Sequence, residues 1–540
     1  MSRWQRYWFA EGGRLAAAAV RIAIAAAVLI TLYRLATLST VHLPGPPELY
    51  RPVGMWMLLG RTPPPAAVVD VLWGLAWTGS AAMLVGCYAR AATAVSCGAA
   101  LALTSLSFAS SASWSHQYNV VFLAQIALLG ARGGDALSVD AWRARRRGQP
   151  VRDVPRGYQW SLRLVQLAVA LMFAGAAFHK LLHSHFTLRW ALSDNLRHQL
   201  LVRFDLAGLP RPAIAAWIID DVWRYRVVAV LNLISQSMPI MACIFVRRPL
   251  VRALAGGFFA LEIIALAHVV GLWNPQWLPL TAVFIDWDRL WAAVSRRATP
   301  VPATPAGWAP RPAARGFVVA FVVYDAITAI IPTVDQRLNT YPFSAFPMFA
   351  NVRSRLPYDE HLPYSVPGDR FEVLSDQPVD PHVQRWLDYQ NRRLDITHGP
   401  DVLRNRLAAV LGDAQRRFPE AGIHGLRHHV VIFEAPAYPA PAHFEPHPIA
   451  VTGELDRGVF RTVLGAIGAD DVVLAPQGLD ATTAQLACYL DDEPTPHPLA
   501  GAHTGNRFAT GAIEGDPLYV VAQIDGKAWL VGSRRGWRWE

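Results

Sequence analysis

The residues with the clearest capacity for chemistry are Lys180 and its neighbours His179 and His183. They end an apolar stretch, residues 162–182, and about 20 such residues cross roughly 30 Å of hydrocarbon as a helix. The chain uses arginine as its cation almost everywhere, and Lys180 and Lys527 are its only lysines. Arginine would anchor a helix end equally well, but only an amine loses its proton when desolvated. Lys180 is therefore a candidate base, and the alternative is a snorkelling lysine that anchors the helix end.

Glu262 is a second candidate, because it lies near the middle of another apolar stretch. An ionisable group at that depth is costly unless it faces protein or water. The alternative is that Glu262 only neutralises an arginine such as Arg34 or Arg163. His116 and His268 lie at the ends of further apolar stretches and are each, taken alone, ordinary polar groups at a helix end.

A metal site is not indicated. His179 and His183 are four residues apart, on one face of a helix, but no carboxylate or cysteine follows at a suitable spacing. The four cysteines, Cys87, Cys97, Cys243 and Cys488, show no metal-binding spacing either. Cys87 and Cys488 would pair only if the C-terminal region folded back on the membrane part.

The elements that must position these residues are membrane helices. Of the 540 residues, 53% are hydrophobic and only 17% are charged, which is too apolar for an ordinary soluble protein of this length. We predict a polytopic α-helical membrane domain over residues 1–333 with about nine spans. The predicted spans cover residues 15–38, 68–88, 92–110, 118–130, 162–182, 227–246, 254–272, 277–285 and 316–333.

Arginines in the loops predict the topology. The loop after the fourth span is the richest, with Arg143, Arg145, Arg146, Arg147, Arg152 and Arg156. Cytoplasmic loops carry such an excess of basic residues, so this loop and the N-terminus are expected inside and the region after residue 333 outside. The same count brings His116, Lys180 and His268 to the outer face. The net charge of +10 is carried by these loops and does not indicate nucleic-acid binding.

The C-terminal region, residues 356–540, has a different pattern, which predicts an extracytoplasmic α+β domain. Amphipathic helices are expected at 382–394 and 401–418, and strands at 429–433, 472–474, 519–524 and 528–531. The proline-rich residues 435–448 are expected to form an extended loop. The region contains no nucleophile elbow, phosphate-binding loop or dinucleotide fingerprint.

Six short motifs follow one another along the first two thirds of the chain. They are LVGCYAR (84–90), WSHQYN (114–119), GDALSVDAW (134–142), HKL (179–181), AHVVGLWN (267–274) and YPFSAFPMFANVRS (341–354). In this order they resemble the membrane domain of vitamin K-dependent γ-glutamyl carboxylase and its bacterial relatives, the horizontally transferred transmembrane (HTTM) domain proteins. The resemblance covers roughly residues 14–354 and includes an aromatic and methionine linker at 334–355. It implies a multi-pass protein of a bacterial cytoplasmic membrane.

The resemblance also implies roles for individual residues. Lys180 corresponds to the base that acts on vitamin K hydroquinone, and His116 and His268 to functionally important histidines. We expect Glu262, His179, Trp114 and Met348 to contribute to the quinone site. The implied cofactor is vitamin K hydroquinone or, for a bacterial chain, menaquinol, with O2 and CO2 as co-substrates. Oxygenation of the quinol to an epoxide drives removal of a glutamate γ-proton, and CO2 then adds at that carbon.

Three interpretations stay open. The first is a quinol-dependent enzyme of carboxylase type that modifies a glutamate or another acceptor. The second is a related quinone-linked oxidoreductase or maturation factor for a secreted peptide, because residues from Leu356 onward do not match the propeptide-binding region of the carboxylase. The third is a non-enzymatic membrane scaffold in which Lys180 is only an anchor. The expected partners are membrane lipid, quinone and a secreted peptide or protein, and not nucleic acid.

Overall fold

The computed structural model shows a helical N-terminal part and a C-terminal part built on a β-sheet. The residues described are 2–38, 50, 52–60, 62–111, 116–149, 154–205, 210–246, 248–295, 309–330, 341–343, 364–390, 399–435, 446–468, 471–490, 496–499, 501–509 and 517–532. The helices of the first part are α1 (Arg3–Trp8), α2 (Arg14–Leu38), α3 (Ala66–Val85), α4 (Ala89–Ser111), α5 (Asn119–Ala127), α6 (Val139–Arg146), α7 (Gln159–His183), α8 (Arg189–Leu192), α9 (Asn195–Asp205), α10 (Ala213–Ile219), α11 (Val222–Ser237), α12 (Met241–Ile244), α13 (Pro249–Val269), α14 (Trp287–Ser295) and α15 (Pro312–Ile330).

Within the described ranges, six helical stretches are long and apolar enough to cross a membrane. They are Arg14–Thr37, Ala66–Val85, Ala89–Ala109, Pro155–His183, Val222–Ile244 and Pro249–Val269. They coincide with the first, second, third, fifth, sixth and seventh predicted spans. The chain therefore has the expected polytopic helical part, while the count of nine spans stays a prediction.

The fourth and eighth predicted spans are short. Helix α5 has nine residues, and the stretch Pro275–Phe284 is a ten-residue 3-10 helix. At rises of about 1.5 and 2.0 Å per residue they extend over roughly 14 and 20 Å, less than a hydrocarbon core. Both are largely buried inside the bundle, where protein replaces lipid around them. The ninth predicted span corresponds to α15, a helix of 19 residues.

The loops that the arginine count groups together meet at one end of the helix bundle. The Gly12 amide donates to the Pro155 carbonyl over 3.0 Å, which joins the N-terminal segment to the loop before α7. At the turn between α3 and α4, the Asp140 carboxylate accepts from the amides of Tyr88 and Ala89, both at 2.8 Å. We call this the arginine-rich end, and the opposite end, where α7 finishes, the Lys180 end. How the two ends are oriented in a membrane stays a prediction.

Two of the sequence motifs contact each other at this turn. Gly86 adopts a left-handed conformation with φ of 68°, and a Cβ there would lie 1.7 Å from Nη1 of the buried Arg21. Arg21 also donates to the Leu137 carbonyl at 2.7 Å. The residues LVGCYAR and GDALSVDAW therefore have a structural role at the arginine-rich end, since they close the turn between α3 and α4.

The C-terminal part is the expected sheet-containing domain. Its helices are α16 (Pro381–Gln390) and α17 (Pro400–Arg417), and its strands are β1 (Tyr364–Ser375), β2 (Ile423–Ala435), β3 (Pro446–Asp456), β4 (Val459–Arg461), β5 (Ala466–Ile467), β6 (Asp471–Val473), β7 (Gln485–Leu490), β8 (His497–Pro498), β9 (Ala502–Thr504), β10 (Arg507–Ala509), β11 (Pro517–Ile524) and β12 (Lys527–Gly532). The large sheet has the order β1-β2-β3-β12-β11-β7-β8, with β4 beside β3, and a small sheet has the order β5-β6-β10-β9. Each predicted strand lies within or beside one of these strands, and both predicted helices are present.

Helix α17 packs on the large sheet because its apolar residues recur every three or four positions. Leu403, Leu407 and Val410 lie in one buried cluster with Leu426 and Val430 of β2. The next residue of β2, Val431, points to the opposite face and packs in a cluster with residues of α9 and α11. The sheet domain therefore contacts the helical part at the Lys180 end.

The cysteines are not paired. Cys87 lies at the arginine-rich end, with its Sγ 3.6 Å from Nη1 of Arg143, whereas Cys488 is buried in the large sheet on β7. All four cysteines are free thiols. Most of the predicted linker 334–355, including Met348, lies outside the described residues, and so does Trp114.

Candidate functional site

Lys180 is buried on the last turn of α7. Only 1% of the residue is exposed, although it lies at the end of a 25-residue helix. Its Nζ donates to Oδ1 of Asn232 and, over 2.9 Å, to Oε1 of Gln236. The ammonium also lies 4.1 Å from the centre of the Trp190 ring, within the range of a cation–π contact. A snorkelling lysine keeps its ammonium in interfacial water, whereas the Lys180 ammonium is enclosed by protein side chains, which favours the candidate base over the anchor.

Glu262 lies on the other side of the same two amides. It is 2% exposed and accepts hydrogen bonds from Nδ2 of Asn232 at 2.6 Å and from Nε2 of Gln236 at 2.7 Å. A third bond comes from Oγ of Ser235 at 2.9 Å. Each amide therefore accepts from Lys180 through its oxygen and donates to Glu262 through its nitrogen, which uses both ends of the group. We call Lys180, Glu262, Asn232, Gln236 and Ser235 together the Lys180 network.

Three helices position the Lys180 network. Lys180 comes from α7 and Glu262 from α13, and both pack against α11, which carries the bridging side chains. Asn232, Ser235 and Gln236 occupy positions i, i+3 and i+4, so they lie on one face of α11. That face meets the two charged residues, while Leu231 and Ile234 on the other face are exposed.

The network is balanced in charge. With an ammonium and a carboxylate the site is neutral overall, and it is also neutral if the proton lies on the carboxyl group instead of the amine. A buried site tolerates either state better than one unpaired charge. One proton can therefore lie on Lys180 or on Glu262 without creating a net charge, and Lys180 takes up a proton from outside when its amine is neutral and Glu262 is ionised.

The contacts of Glu262 do not fit the alternative interpretation, in which it only neutralises Arg34 or Arg163. Arg34 donates to the Trp273 carbonyl at 2.6 Å and to Oε1 of Gln276 at 2.8 Å, at the Lys180 end. The Arg163 guanidinium lies 4.3 Å from the ring centre of Tyr7, at the arginine-rich end. Neither arginine has Glu262 as a partner, because both occupy ends of the bundle whereas Glu262 lies deeper along α13.

The structure places the histidines in different surroundings. His268 is exposed on α13, six residues beyond Glu262, which corresponds to about 9 Å along the axis and roughly 120° around it. His116 begins a 3-10 helix, His116–Tyr118, at the Lys180 end. His179 is fully buried next to Lys180, and its ring centre lies 6.3 Å from that of His183. A joint role of His116 and His268 with Lys180 stays a prediction.

No group of three histidine, cysteine or carboxylate side chains suited to a metal ion occurs among the residues with described positions. Trp114 and Met348, expected at the quinone site, lie outside those residues. A quinone at Lys180 would need a cavity there. A groove of about 710 Å³ runs between α8 and α11, but its walls do not include Lys180 or its hydrogen-bond partners.

Asn232, Ser235, Gln236 and Trp190 were missed by the sequence analysis. The signal for the first three was present, because they are polar residues at helical spacing within an otherwise apolar stretch. Trp190 had no such signal, since a tryptophan near a membrane interface is common.

Comparison of the sequence with models of protein families finds no match, and comparisons with curated proteins and with solved structures find none either. The resemblance to the carboxylase membrane domain therefore rests on the order of the sequence motifs.

Proposed function

We propose that this protein is a membrane-embedded, quinol-dependent enzyme of γ-glutamyl carboxylase type in which Lys180 accepts a phenolic proton. The observation that carries the proposal is the Lys180 network: a buried amine held by two amides, with a carboxylate behind them. A buried lysine is a suitable general base because desolvation favours the neutral amine. The motif order adds the identity of the quinol, which is vitamin K hydroquinone or menaquinol.

The side chains around Lys180 suit a hydroquinone. Besides their bonds to Lys180 and Glu262, the amides of Asn232 and Gln236 each keep a second N–H and a second oxygen lone pair that could bond ring oxygens. These residues would hold the quinol head. When bound, the quinol supplies, through its oxygenation, the strong base that removes a γ-proton from glutamate.

The residues of this chain have separate tasks in the proposal. Lys180 takes the proton, and Asn232 and Gln236 fix the position of its Nζ. Glu262 compensates the ammonium that results, which lowers the cost of forming a charge in a buried site. The contact of Val431 with the helical part at the Lys180 end supports assigning acceptor binding to the sheet domain.

The test uses the purified protein in lipid nanodiscs with reduced menaquinone or vitamin K, O2, labelled CO2 and a glutamate-containing peptide. Quinone epoxide and incorporated CO2 are measured separately. In Lys180→Arg, which cannot be deprotonated, we expect both products to fall by about a hundred-fold or more. The matched control is Lys527→Arg, because Lys527 is the only other lysine and lies on β12 of the sheet domain.

Insertion and folding are checked by size-exclusion chromatography and thermal unfolding of each variant. Quinol oxidation at wild-type rate in Lys180→Arg would overturn the role of Lys180. Epoxide without incorporated CO2 would instead support the quinone-linked oxidoreductase or maturation factor. If the wild-type protein forms neither product, the enzymatic proposal is refuted and the scaffold interpretation is favoured.

A further inference from the structure

Helix α14 has an apolar face that protein does not cover. With 3.6 residues per turn, four apolar side chains of this nine-residue helix lie within an arc of roughly 100°: Trp287, Leu290, Trp291 and Val294. None of the nine residues is buried, and Leu290, Trp291 and Val294 are 46%, 47% and 72% exposed. Arg289 lies away from this face. A contiguous exposed apolar face of this kind marks a contact with a protein or a membrane.

The first tie between α14 and the helix bundle is at the start of α2. The Asp288 carboxylate accepts hydrogen bonds from the backbone amides of Gly13 and Ala16, so a side chain of α14 caps this helix. Gly13 immediately precedes the candidate span Arg14–Thr37. One side of α14 is therefore held at the level at which a candidate span begins.

The second tie is at the start of α13. Arg252 donates to the carbonyl of Ile285, two residues before α14, over 3.2 Å. Arg252 is the fourth residue of the candidate span Pro249–Val269. Two separate spans thus begin at the level of α14, which corresponds to the boundary between lipid heads and acyl chains at the arginine-rich end.

The composition and the size of the apolar face both favour lipid as its partner. Two of its four side chains are tryptophans, which are enriched where a bilayer meets water. A helix of nine residues is about 14 Å long and about 10 Å wide, so its face offers roughly 140 Å². A stable interface between two copies of a chain needs about 800 Å² from each partner. The face is therefore too small for a dimer but suits insertion into the edge of the acyl region.

We propose that α14 is an interfacial helix whose apolar face lies in the lipid at the arginine-rich end. Its partner is the acyl region of the bilayer, and the contact requires no particular head group. Because Asp288 of the same helix caps α2, insertion of α14 also holds the start of that span at the membrane boundary. The lipid contact does not depend on the role of Lys180, which lies at the opposite end of the bundle.

Spin-label accessibility of the full-length protein in lipid nanodiscs measures the contact. Val294→Cys places a nitroxide on the apolar face, and Arg289→Cys places one about 140° away around the same helix. Both positions are exposed, so the second variant is a matched control for the first. Both are made together with Cys87→Ser, because the other three cysteines are buried and Cys87 is not.

The two labels should differ in the reagent with which they collide. O2 dissolves in acyl chains, whereas a nickel chelate stays in water. We expect the label at position 294 to collide mainly with O2, at a depth of about 5–10 Å, and the label at position 289 to collide mainly with the nickel chelate. Size-exclusion chromatography checks folding. Leu290→Cys repeats the measurement on the apolar face should Val294→Cys not fold.

Three outcomes would overturn the assignment to lipid. Equal collision of the two labels with the nickel chelate would place the apolar face in water. Weak collision of the label at position 294 with both reagents would show that protein covers it. Spin–spin broadening between labels at position 294 would show that a second copy of the chain occupies the face.

Discussion

Replacement of Glu262 by methionine is the sharpest perturbation of the Lys180 network. Methionine has a similar length and flexibility, so it fills the space without adding a polar group. It removes the acceptor of three hydrogen bonds, from Asn232, Ser235 and Gln236, and the charge that balances Lys180. The ammonium and the three donors then remain buried without that acceptor.

The expected size follows from this arrangement. Removing one partner of a buried charge pair costs about 3–5 kcal/mol in free energy of unfolding, and the abandoned donors are part of that same cost. Lys180→Met leaves Glu262 with its three donors, so we expect this variant to lose free energy of unfolding at the lower end of that range, about 3 kcal/mol. The double variant keeps no buried charge at the site. The double variant should therefore lose less free energy of unfolding than the sum of the losses of Glu262→Met and Lys180→Met, by about 2 kcal/mol or more.

The assay is equilibrium unfolding in mixed micelles, followed by tryptophan fluorescence, on the wild type, both single variants and the double variant. Lys527→Met is the control, because Lys527 pairs with Glu454 at 3.6 Å while its own side chain is 48% exposed. A pair of that kind contributes less than about 1 kcal/mol. If the losses of Glu262→Met and Lys180→Met add to within about 0.5 kcal/mol, the amides do not couple the two charges and the network argument fails.

Two further predictions concern the sheet domain and the topology. Burial, with a smaller contribution from His429, lowers the pKa of His428 to about 3. The unfolded chain protonates His428 near pH 6.5, so the free energy of unfolding should fall below that pH by about 1.4 kcal/mol per pH unit. His428→Gln should remove this pH dependence, which is measured as the shift of the denaturant midpoint with pH. The same shift in the variant and in the wild type would contradict the prediction. A periplasmic reporter fused after Arg337 should be active if the Lys180 end faces outward, and a cytoplasmic reporter active there would reverse the topology.

The parts of the fold that sequence predicted depend on local pattern. Six long apolar stretches became candidate spans, and strands were found where β-branched residues cluster, as in 519–524 and 528–531. Helix α5 and the 3-10 helix Pro275–Phe284 are shorter than the apolar stretches that predicted the fourth and eighth spans, and an apolar stretch has the same composition whether lipid or protein surrounds it. Only packing within the bundle distinguishes the two cases.

The site was predicted in part for a related reason. Lys180 and Glu262 were identified as candidates because charge in an apolar helix is unusual in any context. Their link was missed, because it requires α7, α11 and α13 to pack together, and no local pattern specifies which helices become neighbours. The polar face formed by Asn232, Ser235 and Gln236 was the available clue, since three polar residues on one side of an apolar helix require buried partners.

The bridging amides distinguish this network from a simple ion pair. In a direct pair, the carboxylate would depend on the ammonium for its hydrogen bonds, and loss of the proton would leave both groups poorly satisfied. Glu262 instead has three donors on α11, so Lys180 is free to lose its proton or contact another group without exposing the carboxylate. Charge compensation and proton acceptance therefore belong to different atoms. An arginine at position 180 would keep the first property and lose the second.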